Sequence, residues 1–196
     1  MQSRRSAGRL PAATPAIEGT PIPDSLLELR RRLGGKDPKE LQDAAWELKS
    51  LVESGQDASS VIPAVPLALR ASFSPEAGSL AKTYLTDALL GLARAGADIE
   101  PCLPALLGAI EDNSIQVRNN IVLILGLCRA PESAAGAVYS RLSDIAPMVR
   151  DSALEVLKGM ASEDGKAAEE ILRLIGQDAG PKSYHDELRT ACAPKQ

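Results

Sequence analysis

The amino-acid sequence predicts an all-α protein built as a solenoid of paired helices. The apolar residues are mostly Leu, Ile, Val and Ala, and only 3% of the chain is aromatic. Leu and Ala favour packed helices, whereas a sheet protein would need more Thr, Tyr and Phe. A similar helical pattern returns every roughly 33–39 residues, separated by short Asp, Ser and Pro turns. A repeat of that length indicates stacked helical hairpins.

The predicted helices follow one another in pairs. Asp37, Pro38 and Glu40 have the spacing of a capping box, with an N-cap Asp, Pro at the first helical position and Glu two residues further on. Similar starts recur along the chain. The predicted pairs are 24–34 with 38–54, 59–71 with 75–95, 98–110 with 114–129, and 133–143 with 147–161, followed by two closing helices at 165–177 and 183–192.

The chain divides into a short arm and one helical domain. Residues 1–23 hold four prolines and no helical periodicity, which predicts an extended or disordered basic arm. Arg4, Arg5 and Arg9 make this arm a candidate docking segment. It could also lie in a groove of its own chain or of a neighbour, or be a solvated tail. The domain spans residues 24–192, with units at about 24–57, 58–96, 97–130 and 131–163 and a cap at 164–192.

Charge, hydrophobicity and cysteine content argue against nucleic-acid and membrane partners and indicate a reducing compartment. The chain has 22 basic and 26 acidic residues, a net charge of −4, which argues against nucleic acid as a partner. No apolar run approaches the ~20 residues that span a bilayer, so no membrane partner is expected. Three cysteines without a CxxC pair fit a reducing compartment, and we predict a cytoplasmic location.

Two segments of the chain match each other closely. Val117-Arg118 recurs 32 residues later as Val149-Arg150, and Asp112 and Asp144 each stand six residues before the arginine. Prolines interrupt the first helices of two units, at positions 63 and 66 and again at 101 and 104.

On these residues the sequence resembles the HEAT-repeat family, including the short bacterial HEAT-like and armadillo-type solenoids. The resemblance covers about residues 24–177 and departs from the family pattern at Gln42 and Lys82, where Arg is usual. It implies a right-handed α-solenoid of about four hairpins plus C-terminal capping helices. It also implies that the turn Asp and the helix Arg bridge successive repeats as a structural ladder.

The resemblance further implies a non-enzymatic adaptor or scaffold that binds another protein on its concave surface, which the second helices line. Aligning the units brings acidic and amide side chains into two neighbouring rows of that surface. The predicted groove consists of Asp43, Glu47, Asp87, Asn119, Asn120, Asp151 and Glu155. Such a groove would suit a basic segment of a partner. A solvated polar face is the alternative, and pairing of these side chains within the chain would favour it.

Two other functions stay open. The chain could be an accessory structural subunit that docks into a larger assembly through its convex face, its ends or its arm. A HEAT-like lyase or glycosylase is a third possibility, but no catalytic, cofactor or metal site is predicted. The single histidine, His185, has no second histidine to complete a metal site and is expected at the surface.

The few aromatic residues are candidate interface anchors. For Trp46, Tyr84 and Tyr139 we expect core or cap packing instead, with Trp46 partly buried at the rim of the stack. Cys102 and Cys128 lie among apolar neighbours and are predicted to be small core residues.

Overall fold

The computed structural model describes residues 22–72, 79–128, 131–177 and 182–193. Ten α-helices and no strand occur in these ranges. The helices are α1 (Asp24–Leu33), α2 (Pro38–Glu53), α3 (Val65–Ser72), α4 (Ser79–Arg94), α5 (Leu103–Gly108), α6 (Ile115–Leu125), α7 (Pro131–Ser140), α8 (Pro147–Glu163), α9 (Gly165–Gly176) and α10 (His185–Ala191).

Proline shapes the first helices of the second and third hairpins. A 3₁₀ turn at Ser59–Ala64 precedes α3 and contains Pro63, and a second one at Glu100–Cys102 precedes α5. Proline cannot donate a backbone hydrogen bond, so the tighter turn accommodates it before the α-helix begins. Further 3₁₀ turns occur at Arg141–Ser143 and Lys182–Tyr184.

The helices form two layers. In one layer α2, α4, α6 and α8 pack side by side in chain order, and α10 packs on α8. In the other layer α1 contacts α3, α3 contacts α5, and α9 packs on α7. The last two helices thus extend both layers. The predicted all-α solenoid is confirmed.

One continuous apolar core lies between the layers. Leu, Ile, Val and Ala supply most of its buried side chains. α6 is the most enclosed helix, with eight consecutive or near-consecutive buried residues from Val117 to Leu125. A helix with neighbours on three sides has little polar surface to present, which explains its apolar sequence. Both Cys102 and Cys128 are buried in this core, as predicted, and burial raises the pKa of each thiol to about 12.

The second helices of the first two hairpins end in the same way. Gly55 follows α2 and Gly96 follows α4, and both have positive φ, at 77° and 85°. The amides of Gly55 and Gln56 donate to the carbonyls of Val52 and Leu51, each at 3.0 Å. This is the Schellman arrangement, in which glycine takes the left-handed conformation without steric cost.

Helices α2 and α4 approach so closely at Gly91 that a side chain there would force Val52 to move. A Cβ at this position would lie 2.4 Å from Cγ1 of Val52. We expect Gly91→Ala to lower the free energy of unfolding by about 1–3 kcal/mol, because overpacking outweighs the gain in helix propensity. Gly159→Ala is the matched control: nothing lies within 4 Å of its Cβ, so it should stabilise α8 by about 0.5–1 kcal/mol. Urea denaturation followed by circular dichroism measures both, and Val52→Ala should rescue Gly91→Ala.

Three local expectations need correction. His185 is buried, and its Nε2 lies 3.1 Å from the hydroxyl of Tyr139. Trp46 is 58% exposed rather than packed at the rim. Asp37 does cap α2 by accepting from the amide of Lys39, but the carboxylate of Glu40 pairs with Arg31 of α1 instead of closing the capping box. Tyr139 is buried in the core, as expected.

Candidate protein-interaction surface

A ladder of charged pairs joins successive hairpins along the edge where the first helix turns into the second. Arg118 on α6 makes a two-point contact with Asp144 of the next turn, from Nε to Oδ2 and from Nη2 to Oδ1, both 2.7 Å. The side chains are only 9% and 2% exposed. Arg118 also donates to the carbonyl of Asp112 at 2.8 Å. One side chain therefore fixes its own turn and the following one.

The neighbouring repeats use the same geometry. Lys82 on α4 pairs with Asp112 at 2.7 Å, so lysine takes the place that Arg118 has one repeat later. Arg150 donates to the carbonyl of Asp144 at 2.8 Å, as Arg118 does to that of Asp112. The structure therefore contains the predicted ladder, with ion pairs at Lys82–Asp112 and Arg118–Asp144 and a contact of Arg150 with its own turn.

The outward side of α2, α4, α6 and α8 is named here the second-helix face. It includes most of the residues predicted to form the groove, but these residues differ in exposure. Asp43, Asp151 and Glu155 are exposed, and Glu47 and Asp87 are half-buried. Asn119 and Asn120 are buried. The amide of Asn120 donates to Oδ1 of Asp87 at 2.6 Å, between α4 and α6. It therefore joins two helices rather than lining a surface.

Several of the predicted carboxylates have partners within the chain. Glu47 pairs with Arg32 of α1, and Glu155 pairs with Lys158 one turn further along α8. Asp87 accepts a hydrogen bond from the amide of Asn120. The pKa of Lys49 is raised mainly by its hydrogen bond to Glu53, and the charge of Asp87 adds to this effect. Among the described residues, no cation pairs with Asp43 or Asp151. Of the five predicted carboxylates, Asp43 and Asp151 are therefore the two with neither a cation nor an amide partner among the described residues, and they lie on the first and the fourth of the second helices.

Among the described residues of the face, Asn119 is the one buried side chain whose acceptor has no hydrogen bond. The residue is 8% exposed, and no donor in the described ranges reaches its Oδ1. It lies three residues after exposed Gln116 and four before half-exposed Leu123, so it is on the outward edge of α6. A buried amide oxygen without a donor costs about 1–3 kcal/mol.

Sequence reasoning missed Trp46 as a surface residue. It stands three residues after Asp43 on α2, so the two side chains share one exposed side of the helix. The buried residues of α2 are Leu41, Ala44, Ala45 and Leu48, which turns Trp46 towards solvent. That local spacing is the signal that could have identified it.

A row of exposed apolar side chains, named here the apolar ladder edge, lies along the same edge as the charged ladder. Large apolar side chains are exposed at or near the start of three second helices, and Ile145 is 88% exposed. Its neighbours on this edge are Leu80, Ile115 and Met148.

Some predicted features lie elsewhere. Arg4, Arg5 and Arg9 of the docking arm are outside the described residues. Within the described ranges, no group of three or more His, Cys, Asp or Glu side chains is arranged to hold a metal ion. None of the helices in those ranges has the length and hydrophobicity needed to cross a bilayer.

Comparisons with known proteins agree with this architecture. A family model described as a HEAT repeat associated with sister chromatid cohesion matches residues 137–157, which contain the turn at Asp144 and the ladder residue Arg150. No curated protein sequence matches the chain.

Similarity to solved structures is broader but concerns the fold alone. An engineered protein, solved by the Northeast Structural Genomics Consortium, superposes with a TM-score of 0.60 at 16% sequence identity. The superposition covers 87% of this chain and 78% of that one. With its stacked hairpins and its ladder between successive turns, the chain has the fold of a helical-repeat solenoid, and its segment 137–157 is similar to a HEAT repeat.

Proposed function

We propose that the chain is a non-enzymatic scaffold that binds a basic segment of another protein on its second-helix face. A stack of parallel helices offers a long continuous surface, and scaffolds of repeat proteins use such surfaces for binding. The observation that carries the proposal is the pair Asp43 and Asp151. Both are exposed, both occupy the same helical position in their repeats, and no described cation pairs with either. Unpaired surface carboxylates steer and orient a positively charged partner.

The internal pairs of Glu47 and Asp87 refine the proposal. Glu47 pairs with Arg32 of α1, and Asp87 accepts from Asn120 of α6, so both carboxylates already stabilise contacts between helices. Binding through charge should therefore depend on Asp43 and Asp151. Glu155 should contribute less, because it is exposed but already paired with the half-buried Lys158.

A double variant tests the proposal. We expect Asp43→Asn with Asp151→Asn to weaken capture of a partner from native lysate by about 5- to 30-fold, since each rim charge contributes on the order of 0.5–1 kcal/mol. The matched control is Asp24→Asn with Glu169→Gln, which neutralises two exposed acids on α1 and α9 in the other layer. Capture should also fall as salt rises from 50 to 300 mM.

Quantitative proteomics of the captured protein measures both effects. Equal capture by the face variant and the control would rule out the second-helix face as a charged binding site. Capture that does not change as the salt concentration rises would also rule out a charged binding site.

A second function is favoured by the apolar ladder edge. Leu80, Ile115, Ile145 and Met148 are exposed there, and apolar side chains aligned over three repeats suit an accessory subunit docked into a larger assembly. Such docking should resist salt. Ile145→Ser with Met148→Ser should abolish it, while the double variant of the face should leave it intact.

A further inference from the structure

We infer that Trp46 and Asp43 form an arginine-binding anchor at the first end of the second-helix face. This inference rests on the proposed function and specifies the partner: an extended segment that places an arginine at α2 and a second cation near Asp151. Trp46 is 58% exposed, which is unusual for the largest apolar side chain of the chain. Its ring is therefore available to a ligand.

The spacing of the two residues fits a guanidinium group. Side chains three residues apart on a helix lie about 5–6 Å apart at Cβ. A guanidinium can stack on the indole of Trp46 while it donates hydrogen bonds to the carboxylate of Asp43. Lysine satisfies the carboxylate but stacks less well, because its ammonium is compact and strongly hydrated. The anchor should therefore prefer arginine.

The anchor is not saturated from within the described chain. Lys39 lies four residues before Asp43 but makes no ion pair with it there, and Lys49, three residues after Trp46, pairs with Glu53 at 2.7 Å. Neither Lys39 nor Lys49 therefore forms an ion pair with Asp43 in the described chain.

Asn119 supplies an independent sign of a ligand on the same face. It is 8% exposed, and its Oδ1 lacks a donor among the described residues. It lies on α6, between the anchor on α2 and the carboxylate of Asp151 on α8. Once a local rearrangement exposes this oxygen, a backbone N–H of a segment crossing the face would supply the missing donor and remove the desolvation cost.

The distance from α2 to α8 determines how long the bound peptide segment must be. From α2 to α8 there are three helix spacings of about 8–10 Å, which gives about 24–30 Å. An extended chain covers about 3.3–3.6 Å per residue, so roughly seven to nine residues separate the two cations. A peptide with adjacent arginines could not reach both carboxylates.

Intrinsic fluorescence provides a direct test, because Trp46 is the single tryptophan of the chain. The probe is a nine-residue peptide with Arg at positions 1 and 9 and neutral Ser and Asn residues between them, titrated into the full-length protein. We expect a saturable change in Trp46 emission. Affinity should fall about two- to fivefold with Lys at position 1, with Asp43→Asn, or with the two arginines adjacent. Asp24→Asn should have no effect.

The anisotropy of a peptide labelled at its C-terminus reports binding independently of Trp46. Binding with unchanged emission, or equal binding to Trp46→Ala, overturns the anchor but leaves the proposed function intact. No binding of any basic peptide at millimolar concentration overturns both. Because Trp46 is largely exposed, Trp46→Ala should keep the fold, and circular dichroism checks this.

Discussion

Replacing Arg118 by methionine should lower the free energy of unfolding by about 3–5 kcal/mol, the largest loss expected for a charged residue of this chain. The substitution keeps the apolar stem but leaves the carboxylate of Asp144 buried without its partner. Asp144 retains the amide of Ala146 at 2.9 Å and a longer contact with Arg141 at 3.7 Å. Neither replaces a two-point contact at 2.7 Å from a guanidinium.

The matched control is Arg173→Met. Arg173 makes a similar pair with Glu170 on α9, but its side chain is half exposed, so the loss should be only about 0–1 kcal/mol. Urea denaturation followed by far-ultraviolet circular dichroism measures both. Arg118→Met with Asp144→Asn should recover part of the loss, because the buried charge disappears while the turn keeps an acceptor. Equal losses in Arg118→Met and Arg173→Met would contradict the structural role of the ladder.

The same pair predicts a dependence of stability on pH. The hydrogen bond from Arg118 lowers the pKa of Asp144 below its ordinary value, so the unfolded chain binds a proton more readily than the folded one. The stability contributed by the pair is fully present above the ordinary pKa of about 4 and is lost as the pH falls through the lower folded value. The difference in stability between the wild type and Arg118→Met should therefore shrink below about pH 4.

Replacing Tyr139 by alanine should cost about 3–5 kcal/mol and act mainly on the last hairpin. Tyr139 is the largest fully buried side chain among the described residues, and its hydroxyl shares a hydrogen bond with Nε2 of His185, the first residue of α10. Alanine leaves a cavity beneath α7 and removes the partner of a buried imidazole. Terminal repeats have one neighbour fewer than central ones, so the loss should appear there first.

Tyr139→Phe separates the two effects. It retains the ring but not the hydroxyl, and we expect a loss of about 1–3 kcal/mol from the unpaired imidazole. Hydrogen exchange measured by mass spectrometry should show faster exchange in α10 for both variants, while α6 stays protected. Uniform acceleration along the whole chain would contradict a local role for this hydrogen bond.

The sequence predicts much of the fold because its signals are local. Asp112 and Arg118 are six residues apart, as are Asp144 and Arg150, and the ladder is expected because this recurring spacing resembles that of HEAT repeats. Proline at positions 63 and 101 likewise marks the 3₁₀ turns. Lys82 differs from the family pattern, yet it forms the same contact, because any cation long enough to reach Asp112 serves.

The interaction surface was harder to predict because exposure depends on neighbouring helices. Trp46 aligns with Val122 and Leu154, which are buried between flanking repeats, whereas α2 presents that position to solvent. His185 has acidic neighbours in sequence, but it shares its face with Leu188 one turn later, and that face packs inward. Glu47 and Asp87 fit a groove by alignment, but Arg32 lies on a first helix, which no alignment of second helices includes. Asn120 is in the alignment, but its contact with Asp87 depends on how α4 and α6 pack, which the alignment does not give.

The ladder also makes the stack mechanically asymmetric. Lys82 and Arg118 tie consecutive turns together near the N-terminal ends of α4 and α6, while at the C-terminal ends of α2 and α4 the connections pass through the glycine turns at Gly55 and Gly96. Under tension or bending, the ionic edge should resist extension and the glycine edge should give way. We therefore expect the curvature of the second-helix face to change by flexing about the ionic edge, without any hairpin coming apart.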